Sequence, residues 1–182
     1  MHLSPRERRV GPLAGEPDAI ISRGEKIESI GQKMRESSQV LGDIADRASG
    51  QQGKAVESLV EVIGDSHTTL SQAADLYEPV GPAIAMYGRS IDIIQPIIND
   101  CASKCEDLWE RYQSMDGDKD GSGVGGFGEP EAGSEEAEEQ AEQDEAKRQA
   151  YEEWKEEADN FDFYYDRWDD VFESALGQIT HG

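Results

Sequence analysis

Residues 54–112 read KAVESLVEVIGDSHTTLSQAADLYEPVGPAIAMYGRSIDIIQPIINDCASKCEDLWERY, and their spacing decides the fold. Val56, Leu59, Ile63, Ser66, Leu70, Ala73, Tyr77, Val80, Ile84, Tyr87, Ile91, Ile94, Ile98, Cys101, Cys105, Leu108 and Tyr112 follow one another in alternating steps of three and four. That is the spacing of one face of an α-helix, kept in a coiled-coil-like register. It predicts one very long helix, or helices sharing one seam. Pro79, Pro82 and Pro96 each remove a backbone donor and crowd the preceding turn. A kink or break is therefore expected near residues 78–82, with a milder one near Pro96.

Upstream, Ser49-Gly50-Gln51-Gln52-Gly53 is a turn signal, with Gln51 and Gly53 as the hairpin-turn residues. Before it, Ile27, Ile30, Met34, Ser37, Leu41, Ile44 and Ala48 repeat the three-four step, which predicts a first helix antiparallel to the second. Asp18 is a candidate N-cap after Pro17. Gly24, Gly31 and Gly42 weaken this helix by up to ~1 kcal/mol each relative to Ala. Residues 1–17 are basic and proline-bearing with no periodicity, and are expected to be disordered.

Downstream, residues 114–133 form a linker rich in Gly and Asp, and 134–182 an acidic helix that packs back on the bundle. Its second half carries another seam: Tyr151, Trp154, Ala158, Phe161, Tyr165, Trp168, Phe172, Ala175 and Ile179. Residues 151–179 are expected to pack and 129–146 to stay solvated. Residues 18–113 form the hairpin. The expected fold is all-α, an elongated antiparallel bundle of three to four long helices.

Composition narrows the function. Forty acidic and 17 basic side chains give a net charge of −23 over 182 residues, which repels phosphate and argues against nucleic acid as a partner. Residues 129–173 alone hold 19 acids and 4 bases. No stretch approaches the ~20 apolar residues of a membrane span, and the first seventeen residues have no apolar signal-peptide core. Export, if it occurs, takes a signal-peptide-independent route.

Several segments carry a further resemblance. Gly15-Glu16-Pro17-Asp18-Ala19-Ile20 is similar to a Gly-Asp-Pro-like entry into a first helix. Ser49 through Ala55 occupies the place of a WxG hairpin, with Gly53 kept and Gln51 where Trp would stand. Ser71-Gln72-Ala73-Ala74-Asp75-Leu76-Tyr77 resembles an Ala-Ala-x-x-Tyr run, which Ala83 to Tyr87 continues. Together they resemble the WXG-like N-terminal helical domain of actinobacterial type VII secretion substrates, the export domain that precedes polymorphic toxins. The likeness covers about residues 15–179 and is architectural beyond Trp109. It implies a secreted substrate or helical partner with no toxin domain after residue 182. It also implies a WXG-type protein, the secretion apparatus or a toxin as protein partner, and pairing as a homo- or heterodimer. The family's Tyr-x-x-x-Asp/Glu signal is matched by Tyr165 with Asp169, the secretion-signal candidate, and by Tyr112 with Asp116. With 40 acids in the chain such a match is expected about once by chance, and a packing role on the final seam accounts for Tyr165 without secretion.

Other chemistry is sparse. Asp116, Asp118, Asp120 and Gly121 match the start of a calcium loop, but the twelfth position is Phe127 rather than a bidentate Glu, so a flexible acidic linker is expected. Cys101 and Cys105 sit on the seam as buried thiols, with no histidine nearby to complete a metal site. His67 reads as a packed or surface histidine. No nucleophile–base motif or phosphate loop is present, so no catalytic, cofactor or metal residue is assigned. The residues expected to pack or to meet a partner are Ile63, Leu70, Tyr77, Ile84, Tyr87, Ile91, Ile94, Ile98, Trp154, Phe161, Trp168 and Phe172. The competing expectation is a cytosolic acidic antitoxin-like or adaptor protein, whose 129–173 block covers a basic surface by charge complementarity.

Overall fold

A computed structural model describes residues 2–115 and 135–181, with the main chain alone for 135–137 and 181. The described residues form three helices: α1 Pro17–Ala48, α2 Lys54–Ser114 and α3 Glu135–His181. Among the described residues the fold is all-helical, with three helices against the three to four expected. Contacts divide the chain into two compact units. One comprises Met1–Ala14 and Ile94–Arg167, the other Gly15–Ile93 and Trp168–Gly182. This partition cuts through α2 and α3 and differs from the linear domains read from the sequence.

The second unit is built on the α1/α2 hairpin. Pro17 opens α1 at its first position, where its missing N–H costs nothing. Asp18 therefore lies inside the first turn instead of capping it; the N-cap is Glu16, without a side-chain hydrogen bond. Residues 49–53 connect α1 to α2. Gly53 has φ +134°, a left-handed value that favours glycine, and its carbonyl accepts the N–H groups of Val56 and Glu57 to start α2.

Small residues set the closest approach. Gly24, Gly31 and Ser38 are buried at seven-residue steps on α1. On α2, Ala74, Gly81 and Gly88 are buried at the same step. A Cβ added at Gly24 would lie 2.5 Å from the backbone nitrogen of Ala85, and one at Gly81 would lie 2.7 Å from the Cα of Glu28. The hydroxyl of Ser38 donates to the His67 carbonyl at 3.0 Å, and the His67 Nδ1 donates to the Ser38 carbonyl at 2.7 Å. Arg35 donates to Glu78 at 2.9 Å, to Ser71 at 3.1 Å and to Asp75, locking the antiparallel register. These contacts correct the assigned interface. The row Ile27, Ile30, Met34, Leu41 and Ile44 lies beside the glycine row and not at the point of closest approach, because backbones meet where side chains are missing.

The expected break at 78–82 is absent. α2 remains helical through Pro79, Pro82 and Pro96. Gly81, Ala85 and Gly88 are buried near Pro79 and Pro82, and Gly81 and Gly88 meet α1, so tertiary packing overrides the local penalty there.

The first unit pairs the end of α2 with α3, antiparallel. Trp109 meets Trp154 with ring centroids 4.8 Å apart, Tyr112 meets Tyr151 at 5.5 Å, and Arg111 donates to Glu153 at 2.9 Å. Ile98, Cys105, Ala158 and Phe161 are fully buried. Residues 138–146 of α3 are exposed, and Ala150 begins the buried stripe.

The N-terminal segment departs from expectation. Residues 2–10 fold into a tight turn, with Leu3 bridged to Arg9 and the Ser4 N–H donating to the Arg8 carbonyl at 2.8 Å. His2, Ser4 and Val10 are buried. The composition suits disorder in isolation, but α3 supplies acidic partners for the basic residues.

Candidate functional site

The described residues present two surfaces, one in each unit. Among those residues no group of three or more His, Cys, Asp or Glu converges to hold a metal ion. Cys101 and Cys105 are free and buried, and burial pushes their thiols up to about 11 and about 12. A calcium-type loop at 116–127 falls outside the described residues, as does Asp116, the acid that would pair with Tyr112. No described helix is long and apolar enough to cross a membrane.

The hairpin unit presents an apolar flank. At 3.6 residues per turn, Ile30 and Ile44 of α1 fall on the same side of the glycine seam as Leu59, Val62 and Tyr77 of α2. Their exposures run from 41% to 62%. Ile27, Met34, Leu41, Ile63 and Leu70 line the same flank, half-buried. Farther along α2, residues 168–179 of α3 cover this flank. The Phe172 ring meets Tyr87 at 5.8 Å, Ile91 and Ala175 are buried, and Ile84, Leu176 and Ile179 complete a shallow apolar groove. Burial pushes the Tyr87 hydroxyl above its usual range. Toward the hairpin turn the same track continues bare among the described residues. At the turn itself Gln51 is exposed, beside a groove lined by Ala48, Val56, Glu57 and Val60.

In the other unit the N-terminal turn sits against α3 and the end of α2. Asp162 is 1% exposed and accepts the Ser4 hydroxyl at 2.7 Å and the Arg6 N–H at 3.3 Å. Arg8 donates to the Asp162 carbonyl at 3.0 Å and to the Asp166 carboxylate at 2.5 Å, while its guanidinium lies 4.8 Å from the Tyr165 ring centre. Arg6 also donates to Asp166. Hydrogen bonding from Arg8 holds the Asp166 carboxyl below its ordinary range. His2 stacks on Trp109 at 5.1 Å and meets the edge of Trp154 at 5.6 Å, with Glu106 3.9 Å from Nδ1. Burial lowers the His2 pKa, and the Glu106 charge works in the opposite direction.

The residues singled out from the sequence therefore separate into groups. Ile91, Ile98, Trp154 and Phe161 are core, and Ile94 is half-buried. Ile63, Leu70, Tyr77 and Ile84 are partly exposed on the hairpin flank, where Trp168 is half-buried and Phe172 is 40% exposed. Tyr165 is half-buried beneath Arg8, and Asp169 is exposed. Sequence reasoning missed His2, Arg6, Arg8, Asp162 and Asp166. The available signal was a basic cluster at one end of a chain whose other end is strongly acidic. Comparison with protein-family models, with curated proteins and with solved structures finds no match for this chain.

Proposed function

We propose that this chain is a non-enzymatic helical protein of the type VII secretion kind, acting as a secreted substrate or helical partner through its hairpin and C-terminal helix. The observation that carries the reading is the bare apolar flank of the α1/α2 hairpin. α3 already packs on one end of that track through Phe172 and Ala175. The rest offers the same surface to a second amphipathic helix, a common mode of helix-in-groove recognition. Gly53 in the hairpin turn and the Ala73-Ala74-x-x-Tyr77 run add support through their likeness to the WXG-like export domain. Side chains at 41% to 62% exposure leave much of their apolar area in water, and each fully buried Leu or Val contributes about 1.5–3 kcal/mol.

The test has two arms. Secretion into the medium is measured with the type VII apparatus intact and disabled, and loss of export on disabling it is expected. Co-expression with a WXG-type protein is expected to raise the melting temperature, and Leu59→Asp with Val62→Asp to abolish that rise while leaving helicity unchanged. Export that persists without the apparatus, together with no partner-dependent stabilisation, overturns the reading.

A further inference from the structure

Beyond the hairpin flank, the acidic end of the molecule holds a second recognition surface, and the chain's own N-terminal turn rests in it. We propose that the cradle around Asp162, Asp166 and Trp154 is a receptor for arginine-bearing peptide segments of a partner protein, and that residues 2–13 occupy it as a displaceable stand-in.

Two observations and one consequence of chain linkage lead there. First, the cradle holds two arginine side chains. Asp166 takes one guanidinium N–H from each of Arg6 and Arg8, and beside it Asp162, 1% exposed, accepts from the Ser4 hydroxyl and the Arg6 backbone N–H. Arg8 uses both arms of its guanidinium at once, one to the Asp162 carbonyl and one to the Asp166 carboxylate, a planar two-donor reach that a lysine ammonium does not reproduce. The planar Arg8 guanidinium also lies over Tyr165, a second feature selective for arginine. Two carboxylates facing the ligand exclude nucleic acid from the same place.

Second, the resident fits one end well and the other poorly. His2 is 7% exposed, and neither of its ring nitrogens has a hydrogen bond among the described residues. Trp154, at 5% exposure, forms part of the floor, and its Nε1 is likewise unsatisfied. A buried donor or acceptor left unmade is a standing penalty. A segment that keeps the two arginines, brings an acceptor to the Trp154 Nε1 and places an apolar ring where His2 stacks binds better than the resident does.

Third, the resident is held by its tether. A short linked segment acts at an effective concentration in the ~mM range. A cis ligand of modest intrinsic affinity fills the cradle until a better-fitting partner segment displaces it.

The test uses the full chain carrying Arg6→Ala and Arg8→Ala, which frees the cradle without altering it. A fluorescein-labelled peptide of residues 2–13, HLSPRERRVGPL, is titrated by anisotropy at pH 7.5 and 150 mM salt. It is expected to bind the double variant at least ten-fold more tightly than the wild type, whose own segment competes. A peptide with Ala at both arginine positions is expected not to bind, and one with Phe in place of His2 to bind more tightly than the parent. Adding Asp166→Asn to the double variant is expected to weaken binding at least ten-fold, with the far-UV circular dichroism unchanged. Limited proteolysis reports the resident: cleavage within residues 2–13 is expected to accelerate in the double variant. A segment that stays protected there overturns the proposal, because the arginines then do not hold it. So does a peptide affinity that is equal for wild type and double variant, or equal with and without the arginines.

Discussion

Gly24→Ala and Gly81→Ala each add one methyl group to an exceptionally close helix–helix contact. At position 24 the new Cβ would sit 2.5 Å from the Ala85 nitrogen, 2.7 Å from the Gly81 oxygen and 2.9 Å from the Ala85 Cα. All three obstacles are backbone, so no side chain can rotate away. The helices must separate, which disturbs Ser38–His67 and Arg35–Glu78 farther along the same seam. Overpacking of this kind costs about 1–3 kcal/mol, and a backbone clash belongs at the upper end. Replacing Gly by Ala inside a helix returns about 0.8–1.0 kcal/mol. The net expectation is a loss of about 2 kcal/mol, or a fall in Tm of about 4–8 °C for a chain of this size.

Gly64→Ala is the internal control. It lies in the same helix, and nothing stands within 4 Å of its would-be Cβ. Only the propensity gain operates there, so a rise in Tm of about 2–4 °C is expected. Thermal unfolding followed by circular dichroism at 222 nm, on the three variants and wild type, reads the difference directly. The same chemical change is thus expected to have opposite signs at positions on and off the seam. If Gly24→Ala and Gly81→Ala stabilise the protein as Gly64→Ala does, the close approach of α1 and α2 is wrong.

Three further outcomes are expected. Phe161→Asp, which puts a carboxylate at a fully buried position, costs more than about 3 kcal/mol, whereas Glu138→Gln with Glu139→Gln stays within about 0.5 kcal/mol; urea titrations compare them. His2 has a docked pKa below its free value of 6.5, so docking expels a proton, and its contribution is full above pH 6.5 and is lost as pH falls through the lower docked value. Proteolysis of residues 2–13 should accelerate from pH 7.5 to pH 5, and His2→Phe should flatten that profile; an unchanged profile refutes the link. Asp166 adds a second loss only below its free value of 3.8. The Cys101 and Cys105 thiols, pushed up to about 11 and about 12, should react with a disulfide reagent at pH 8 at least about 100-fold more slowly in the folded protein than in urea, on thiolate fraction alone. Equal rates would place them at the surface.

Periodicity made an all-helical chain with long helices legible from the sequence, because an apolar stripe must be buried somewhere; it left the count at three to four, since the prolines of α2 read as a break that the structure does not have. What it concealed was the place where the helices touch. Ile27, Met34 and Leu41 carry the hydrophobic signal, but Gly24, Gly31 and Ser38 carry the contact. A glycine counts against a helix on any propensity scale and as nothing on any hydropathy scale, so both readings discard the residue that permits a backbone to approach. The consequence for function is direct. A seam filled by glycine leaves the large apolar residues to one side, where a seam of leucines would have consumed them. Ile30, Ile44, Leu59 and Val62 are exposed because Gly24 and Gly81 hold the hairpin together without them. The N-terminal turn follows a similar logic. Arg6 and Arg8 order only because Asp162 and Asp166 lie in the same unit, more than 150 residues away in the chain. Composition taken segment by segment reads one end as a disordered basic tail and the other as an acidic helix. Their pairing is a long-range charge match, and no local window of sequence contains both halves of it.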